Sequence, residues 1–299
     1  MKNTKKSNIS KAVIAAAGYA TRFLPATKNQ PKEMLPIIDK PIIHHLVEEV
    51  VASGITDIII VTRAGQGIIE DYFDNHAELE HVLAVKGKRK LLKKIKDIPL
   101  LANFVYVRQK KNLPYGNGSP LLAIKDLIGQ NERFVYVFGD DLVLSEIPCT
   151  KQIIDYSDEK GGSVTVAVQK VPRSEVKHYG IFKLVKGSRD RVEGAIEKPQ
   201  PGKAPSQLAL FGRFVLNHQI IDILENDFKQ GVLGKGKELW LIDAIVAYAK
   251  KNPVYASQII GEWMTTGDPL RYMKTQVRYA LKRPDIGGEF AKFLKGIKL

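Results

Sequence analysis

The sequence predicts an α/β fold: a mostly parallel sheet flanked by helices, with an additional strand-rich region in the second half. Three observations carry this. Short apolar runs recur through the first half of the chain, each closed by Gly, Asp, Asn or a charged residue. Stretches with helical spacing separate them. After residue 160 the texture changes to closely spaced β-branched runs. Strands alternating with helices make parallel sheets joined by right-handed crossovers.

Taken in order, "KAVIAAA" (11–17) is a short buried strand ending at Gly18. "DKPIIHHLVEEVVASG" is a helix, with Asp39 as expected N-cap, Pro41 near the first turn and Gly54 at its end. "DIIIVT" (57–62) is a second buried strand, followed by a helix around "IIEDYF". "NFVYVRQ" (103–109) and "RFVYVFGDD" (133–141) are strands, with helical "LLAIKDLIG" between them. "GSVTVAVQKV", "YGIFKLV", "RVEGAIEKP" and "QLALFGRFVL" form the strand-rich region, expected to pack on the first sheet without a linker. "ELWLIDAIVAYAKK" and "PLRYMKTQVRYALKR" are helices. One domain spans 10–282, and 1–9 and 283–299 are expected to be tails.

The composition is that of a soluble globular chain: 299 residues, 44% hydrophobic and 26% charged. No apolar run is long enough to span a bilayer, so no membrane partner is expected. The basic N-terminus lacks the apolar stretch of a signal peptide. The single Cys149 excludes an internal disulfide framework and fits a cytoplasmic setting. The net charge of +14 favours anionic ligands. Part of that excess lies in "KGKRKLLKKIK" (86–96), best read as a solvated helix with Leu91, Leu92 and Ile95 on one side. The run holds no aromatic residue, and nucleic-acid binding is not expected.

"AAAGYATRFLPATK" (15–28) raises the functional question. It leaves a buried strand through small residues and one glycine, then supplies Arg22, Lys28 and, just beyond, Lys32. Two readings stand: a tight turn, or a backbone that must let a phosphate come close. It is neither a G-x-G-x-x-G fingerprint nor a Walker A loop. "GDD" (139–141) closes a strand where ligands of open α/β sheets bind, yet is equally a strand-ending turn. Glu197-Lys198-Pro199 is equally a surface charge pair, and Gln109 a strand-end polar residue.

The stretch "AAGYATRFLPATKNQPKEMLPIIDKP" resembles the N-terminal signature of the sugar-phosphate nucleotidyltransferases, most closely the bacterial uridylyltransferases acting on UTP and glucose 1-phosphate. "RQK", "GDDL", "YGIF", "IEKP", "GRFVL" and "LIDAI" follow in the family's order. The resemblance covers roughly 10 to 280. It implies a Rossmann-like domain with a nucleotide-binding half over about 10–160 and a sugar-phosphate-binding half over about 161–282. By the same resemblance the backbone of Ala17 and Gly18 meets the nucleotide, and Arg22 and Lys32 face its triphosphate. Glu33 and Gln109 read the uracil edge, with Gly116 beside the base. Asp140 holds Mg²⁺, Gly180 and Glu197 meet sugar hydroxyls, and Lys198 binds the sugar's phosphate. Similar enzymes form dimers or tetramers, so a homo-oligomer is expected.

The reaction so implied needs no general base. A sugar 1-phosphate is largely ionised at neutral pH, its second pKa being about 6. It attacks the α-phosphate of UTP in line, and the protein's task is to align and neutralise two polyanions. His44 and His45, on the helix from Pro41, are expected to be structural.

The chain departs from the family pattern at four places. Ala20 replaces the loop's second glycine, tolerable unless that position needs positive φ. "PYGNGSP" (114–120) replaces G-L-G-H-A, which leaves thymine as the alternative base. Thr265, in "WMTTGDP", stands where many relatives carry a second acidic metal ligand. Asp140 with the phosphates is expected to suffice; the alternatives are that Asp268 reaches in, or that activity is reduced and the chain is a catalytically weakened nucleotide-sugar-binding relative. Finally, Trp240 and Ile242 in "ELWLIDAI" replace Gln and Thr.

Overall fold

The computed structural model describes residues 8–200 and 202–298. The strands are β1 (Lys11–Ala15), β2 (Pro36–Ile37), β3 (Lys40–Pro41), β4 (Asp57–Thr62), β5 (Asn103–Arg108), β6 (Arg133–Phe138), β7 (Asp141–Leu144), β8 (Val164–Lys170), β9 (Gly180–Leu184), β10 (Val192–Glu197), β11 (Leu208–Asn217), β12 (Val254–Gln258) and β13 (Glu262–Thr265). The helices are α1 (Ile42–Ala52), α2 (Gly67–Tyr72), α3 (Ala77–Val85), α4 (Arg89–Lys96), α5 (Ser119–Ala123), α6 (Cys149–Glu159), α7 (His218–Lys229), α8 (Leu241–Ala249), α9 (Pro269–Lys282) and α10 (Gly287–Gly296).

Among the described residues nine strands form one sheet. Its order includes the parallel run β6-β1-β4-β5, with β1 central between β4 and β6. These strands read as continuous apolar runs because helices cover both faces. Alternate residues serve the two cores. Val13, Phe134 and Tyr136 pack on the side of α5, α7 and α8, whereas Ala12, Ile14, Val135 and Val137 face α1 and α6.

The α/β class holds, but the strand-rich half does not pack on the first sheet; it continues it. The ten-residue β11 runs antiparallel to β6 through Arg213–Asn217 and antiparallel to β8 at Leu208–Leu210 and again at Phe214–Val215, with a register shift between. At its N-terminal end Ala209 pairs with Ile181 of β9. Since β8 occupies one edge of β11, β9 and β6 share the other, one behind the other.

A buried ion pair anchors this hub. Arg213 has no exposed side-chain surface and reaches Glu49 of α1 through both Nε and Nη2, each at 2.9 Å. Glu49 also accepts from the Thr150 amide and hydroxyl at the start of α6. Two helices and a strand are thereby fixed to one another across a helix-covered face.

Several local expectations change. Asp39 does not cap α1, which begins after Pro41 without a side-chain cap. It lies in the turn between β2 and β3 and pairs with Lys94 and Arg283 instead. Within the expected C-terminal tail, α10 folds against α9. Residues 1–7 of the expected N-terminal tail lie outside the described residues, but Ile9 is buried and Asn8 accepts from Arg133. The 86–96 run is a solvated helical segment as expected, with Lys93, Lys94 and Lys96 paired to acids, although Leu91 is exposed. His44 and His45 are structural: His44 bonds Tyr72 and pairs with Glu48, while burial drives the His45 pKa down to about 4. No helix among the described residues is long and apolar enough to cross a membrane.

Candidate active site

A cavity of about 920 Å³ lies across the C-terminal ends of β6, β1, β4 and β5. Open α/β sheets bind ligands at this edge because the loops leave the strands there. Of the residues expected from the sequence, Ala17, Gly18, Lys32, Glu33, Gln109, Gly116 and Asp140 line it. Residues from four loops distant in the chain thus meet in one space.

The loop after β1 can now be read. Gly18 has no positive φ, and a Cβ placed on it would meet nothing within 4 Å. Neither a turn nor local packing requires glycine there. Its exposed backbone faces the cavity. The left-handed position is Ala20 instead, at φ 51°. The Ala20 carbonyl accepts from the Phe23 amide and the Thr27 hydroxyl, which hold the chain in that conformation. An alanine there costs about 1–2 kcal/mol.

Charge concentrates where β1 and β6 end. Lys32, in a single 3₁₀ turn (Lys32–Met34), places Nζ 2.5 Å from Asp140 Oδ2. Burial alone would lower the Lys32 pKa, but Asp140 and Glu33 together hold it above its ordinary value. Glu33 is almost fully buried, and burial raises its pKa to about 7 against the pull of Lys32. Its Oε2 has no hydrogen-bond partner. Gly139 makes room for it: a Cβ there would stand 2.8 Å from Glu33 Cγ and 2.6 Å from the Ala15 carbonyl. Asp141 turns the other way, accepting from the Gly212 amide and from Trp263 Nε1, both at 2.9 Å. Burial, then the neighbouring Asp140, raises its pKa to about 6. The second aspartate of "GDD" therefore ties β7 to β11, and the first faces the cavity.

Arg22, Gly180, Glu197 and Lys198 do not line this cavity. Arg22 stands beside it, donating to the Gly267 carbonyl at 3.2 Å. A Cβ on Gly267 would lie 3.1 Å from Asp140 Oδ2, 3.3 Å from Thr265 Oγ1 and 3.7 Å from Arg22 Nη1, so these three groups surround one point. Gly180, Glu197 and Lys198 form a second cluster, on β9 and at the end of β10. Gly180 pairs with Glu197, and a Cβ on it would fall 2.8 Å from Glu197 Oε2 and 2.7 Å from Ile242 Cδ1. Lys198 adopts φ 46°, with Nζ 3.6 Å from Glu197 Oε1 and 5.1 Å from the centre of the Trp240 ring.

Asp268 does not reach toward Asp140. It caps α9, accepting from the Arg271 amide at 3.0 Å and pairing with the Arg271 guanidinium. Thr265 alone stands where a second acid was looked for. Among the described residues no group of three or more His, Cys, Asp or Glu side chains is placed to hold a metal ion. The donor set here, one partly exposed carboxylate beside a hydroxyl, fits an Mg²⁺ that completes its shell with substrate phosphates and water.

Two of the departures from the family pattern touch each other. The Leu239 amide donates to the Tyr115 carbonyl at 2.6 Å, and the Gly118 amide donates to the Leu239 carbonyl at 2.9 Å. The Leu241 amide donates to Asn117 Oδ1. Gly116, at φ 119°, packs so closely that a Cβ would lie 2.2 Å from the Leu239 carbonyl oxygen. "PYGNGSP" and "ELWL" are thus one interlocked unit at the mouth of the cavity.

Residues 11–281 match the nucleotidyl transferase family. The chain belongs to that family. Among curated relatives, the UTP–glucose-1-phosphate uridylyltransferase of Staphylococcus epidermidis is 46% identical over 97% of this chain and 99% of its own length. The enzyme of the same name from Staphylococcus haemolyticus is 46% identical over 96% and 98%. Among solved structures, UTP-bound UGPase from Acinetobacter baumannii superposes with a TM-score of 0.86 at 33% identity, covering 97% of this chain and all of that one. A UDP-glucose pyrophosphorylase complexed with UDP-glucose gives 0.80 at 34% identity, covering 92% of this chain and all of that one. As a nucleotidyl transferase the chain has cavity residues that the sequence reading passed over: Tyr19, Arg63 and Tyr115. The signal for Arg63 was its place directly after the strand "DIIIVT", where a side chain meets the binding edge.

Proposed function

We propose that the chain transfers a uridylyl group from UTP to glucose 1-phosphate, giving UDP-glucose and pyrophosphate. The observation that carries the reading is the near-full-length identity to relatives of that activity, joined to a cavity that gathers the expected nucleotide residues. In this reading Ala17 and Gly18 present backbone to the nucleotide, and Glu33 and Gln109 face the uracil edge beside Gly116. Lys32 and Arg22 neutralise phosphate oxygens as the sugar phosphate attacks the α-phosphate in line. Gly180 and Glu197 leave room for and accept from the sugar hydroxyls. Lys198, carried by Trp240 and Glu197, receives the phosphate of the sugar. Asp140 would hold Mg²⁺, which when bound neutralises charge on the phosphates. The protein would work in the cytoplasm, as a homo-oligomer.

Pyrophosphate release tests this, with and without Mg²⁺, across UTP, dTTP, ATP, CTP and GTP, each with glucose 1-phosphate and then galactose 1-phosphate. Turnover fastest with UTP and glucose 1-phosphate is expected. Preference for dTTP would reassign the base, and silence from a folded protein that binds UDP-glucose would remove the transferase reading.

A further inference from the structure

The cavity has a direction. Asp140 and Lys32 stand where β6 ends, and Arg63 is the first residue after β4, with β1 between them. Two strand spacings, about 10 Å, separate those ends. Phosphates belong at the Asp140 end, so the nucleoside lies toward β4 and β5. There the Gln109 amide donates to the Thr62 carbonyl at 2.8 Å, which sets Gln109 next to Arg63.

Arg63 is held but not satisfied. Its guanidinium carbon stands 4.4 Å from the centre of the Tyr19 ring. Tyr19 in turn meets Tyr115, with ring centres 5.9 Å apart and planes tilted at 48°. Nε of Arg63 is buried with no hydrogen-bond partner, and no acidic side chain among the described residues forms an ion pair with it. Tyr19 and Tyr115 are 49% and 65% exposed, leaving ring surface open at the mouth. A guanidinium has donors only, and uracil presents carbonyl acceptors. Stacking on Tyr19 fixes the plane in which those donors point.

We propose that Arg63 is a further nucleoside-binding residue: carried on Tyr19, it donates to a carbonyl oxygen of the uracil, and Tyr115 covers the nucleoside from the solvent side. This rests on the reading that the cavity takes UTP. The test measures binding of UMP, UTP and inorganic tripolyphosphate to the full chain by calorimetry, with KM for glucose 1-phosphate alongside. Arg63→Met is expected to weaken UMP and UTP alike by about 10–100-fold, as for loss of a charge-assisted hydrogen bond. Tripolyphosphate binding and KM for glucose 1-phosphate should stay within about twofold. Tyr19→Leu should weaken UMP in the same direction. Should Arg63→Met not fold, Arg63→Lys carries the test, since it keeps the charge and loses the planar fork. Unchanged UMP binding in the Arg63 variant overturns the inference alone, as does a loss confined to UTP and tripolyphosphate. A wild-type chain that binds neither UMP nor UTP overturns both this inference and the uridylyl reading.

Discussion

The ammonium of Lys32 and the carboxylate of Asp140 meet at 2.5 Å at the end of β6, each with about a fifth of its side chain exposed. Each is the other's counter-ion. A substrate phosphate and a metal ion are the natural competitors for the pair, since each would replace one partner's charge.

The first prediction follows from that pair. Asp140→Asn should lower kcat for pyrophosphate release by on the order of 10²–10³, the size seen when a charge-stabilising group is removed. Its thermal midpoint should stay within a few degrees of wild type. Chelation of divalent ions should abolish turnover in wild type, and added Mg²⁺ should restore it. Steady-state kinetics with circular dichroism decides this, and an active Asp140→Asn enzyme refutes the assignment.

Glu33 predicts a pH dependence of stability. Its folded pKa of about 7 lies above the unfolded value, so between the two the folded chain binds more protons. Stability of the metal-free protein should therefore fall as pH rises from about 4.5 to 7, by up to about 1.4 kcal/mol per unit from this group. Denaturant melts of wild type and Glu33→Gln across that window measure the difference. Equal slopes would show that Glu33 titrates normally.

Asp268 separates a structural from a catalytic acid. Asp268→Asn keeps a capping side chain and should leave kcat within about twofold. Asp268→Ala should lose about 1 kcal/mol of stability with the cap. A large kcat loss in the Asn variant would return Asp268 to the metal site.

Glu49 and Arg213, neither of which lines the cavity, predict a folding defect. Glu49→Ala leaves a guanidinium buried without its partner and should cost about 3–5 kcal/mol. Replacing both residues by apolar ones should recover much of that loss. Urea unfolding of the two single variants and the double variant tests the coupling.

The legible parts of this fold are those whose burial is total. "DIIIVT" reads as a strand because both its faces are covered, and it forms over the residues expected. Pairing partners were not legible. Nothing local in "QLALFGRFVL" tells that its second half will join β6, so one continued sheet looked like two. Asp39 failed as a cap for a related reason: its partners, Lys94 and Arg283, are far away in sequence. Gly18 was readable as a loop residue, but the open space around it, facing the cavity, was not. Ala20 shows the opposite case, a left-handed residue hidden behind an ordinary side chain. Tyr19, Arg63 and Tyr115 were invisible as a set because three separate loops bring them together.

Strand β11 has one more property. On one of its edges Ala209 faces Ile181, next to Gly180, and Arg213 faces Val137, three residues before Asp140. Four residues of backbone, at most about 14 Å, separate these two marks, and the ladder to β8 shifts register between Leu210 and Phe214. In the proposed reaction the strand would work as a gauge rod, setting how far apart the two reactants are delivered, independently of how tightly either is gripped. A residue inserted between Leu210 and Gly212 falls in that irregular stretch and would change the spacing by at most about 3.4 Å. Both grips would survive, and the gap between the attacking oxygen and its phosphorus would be wrong.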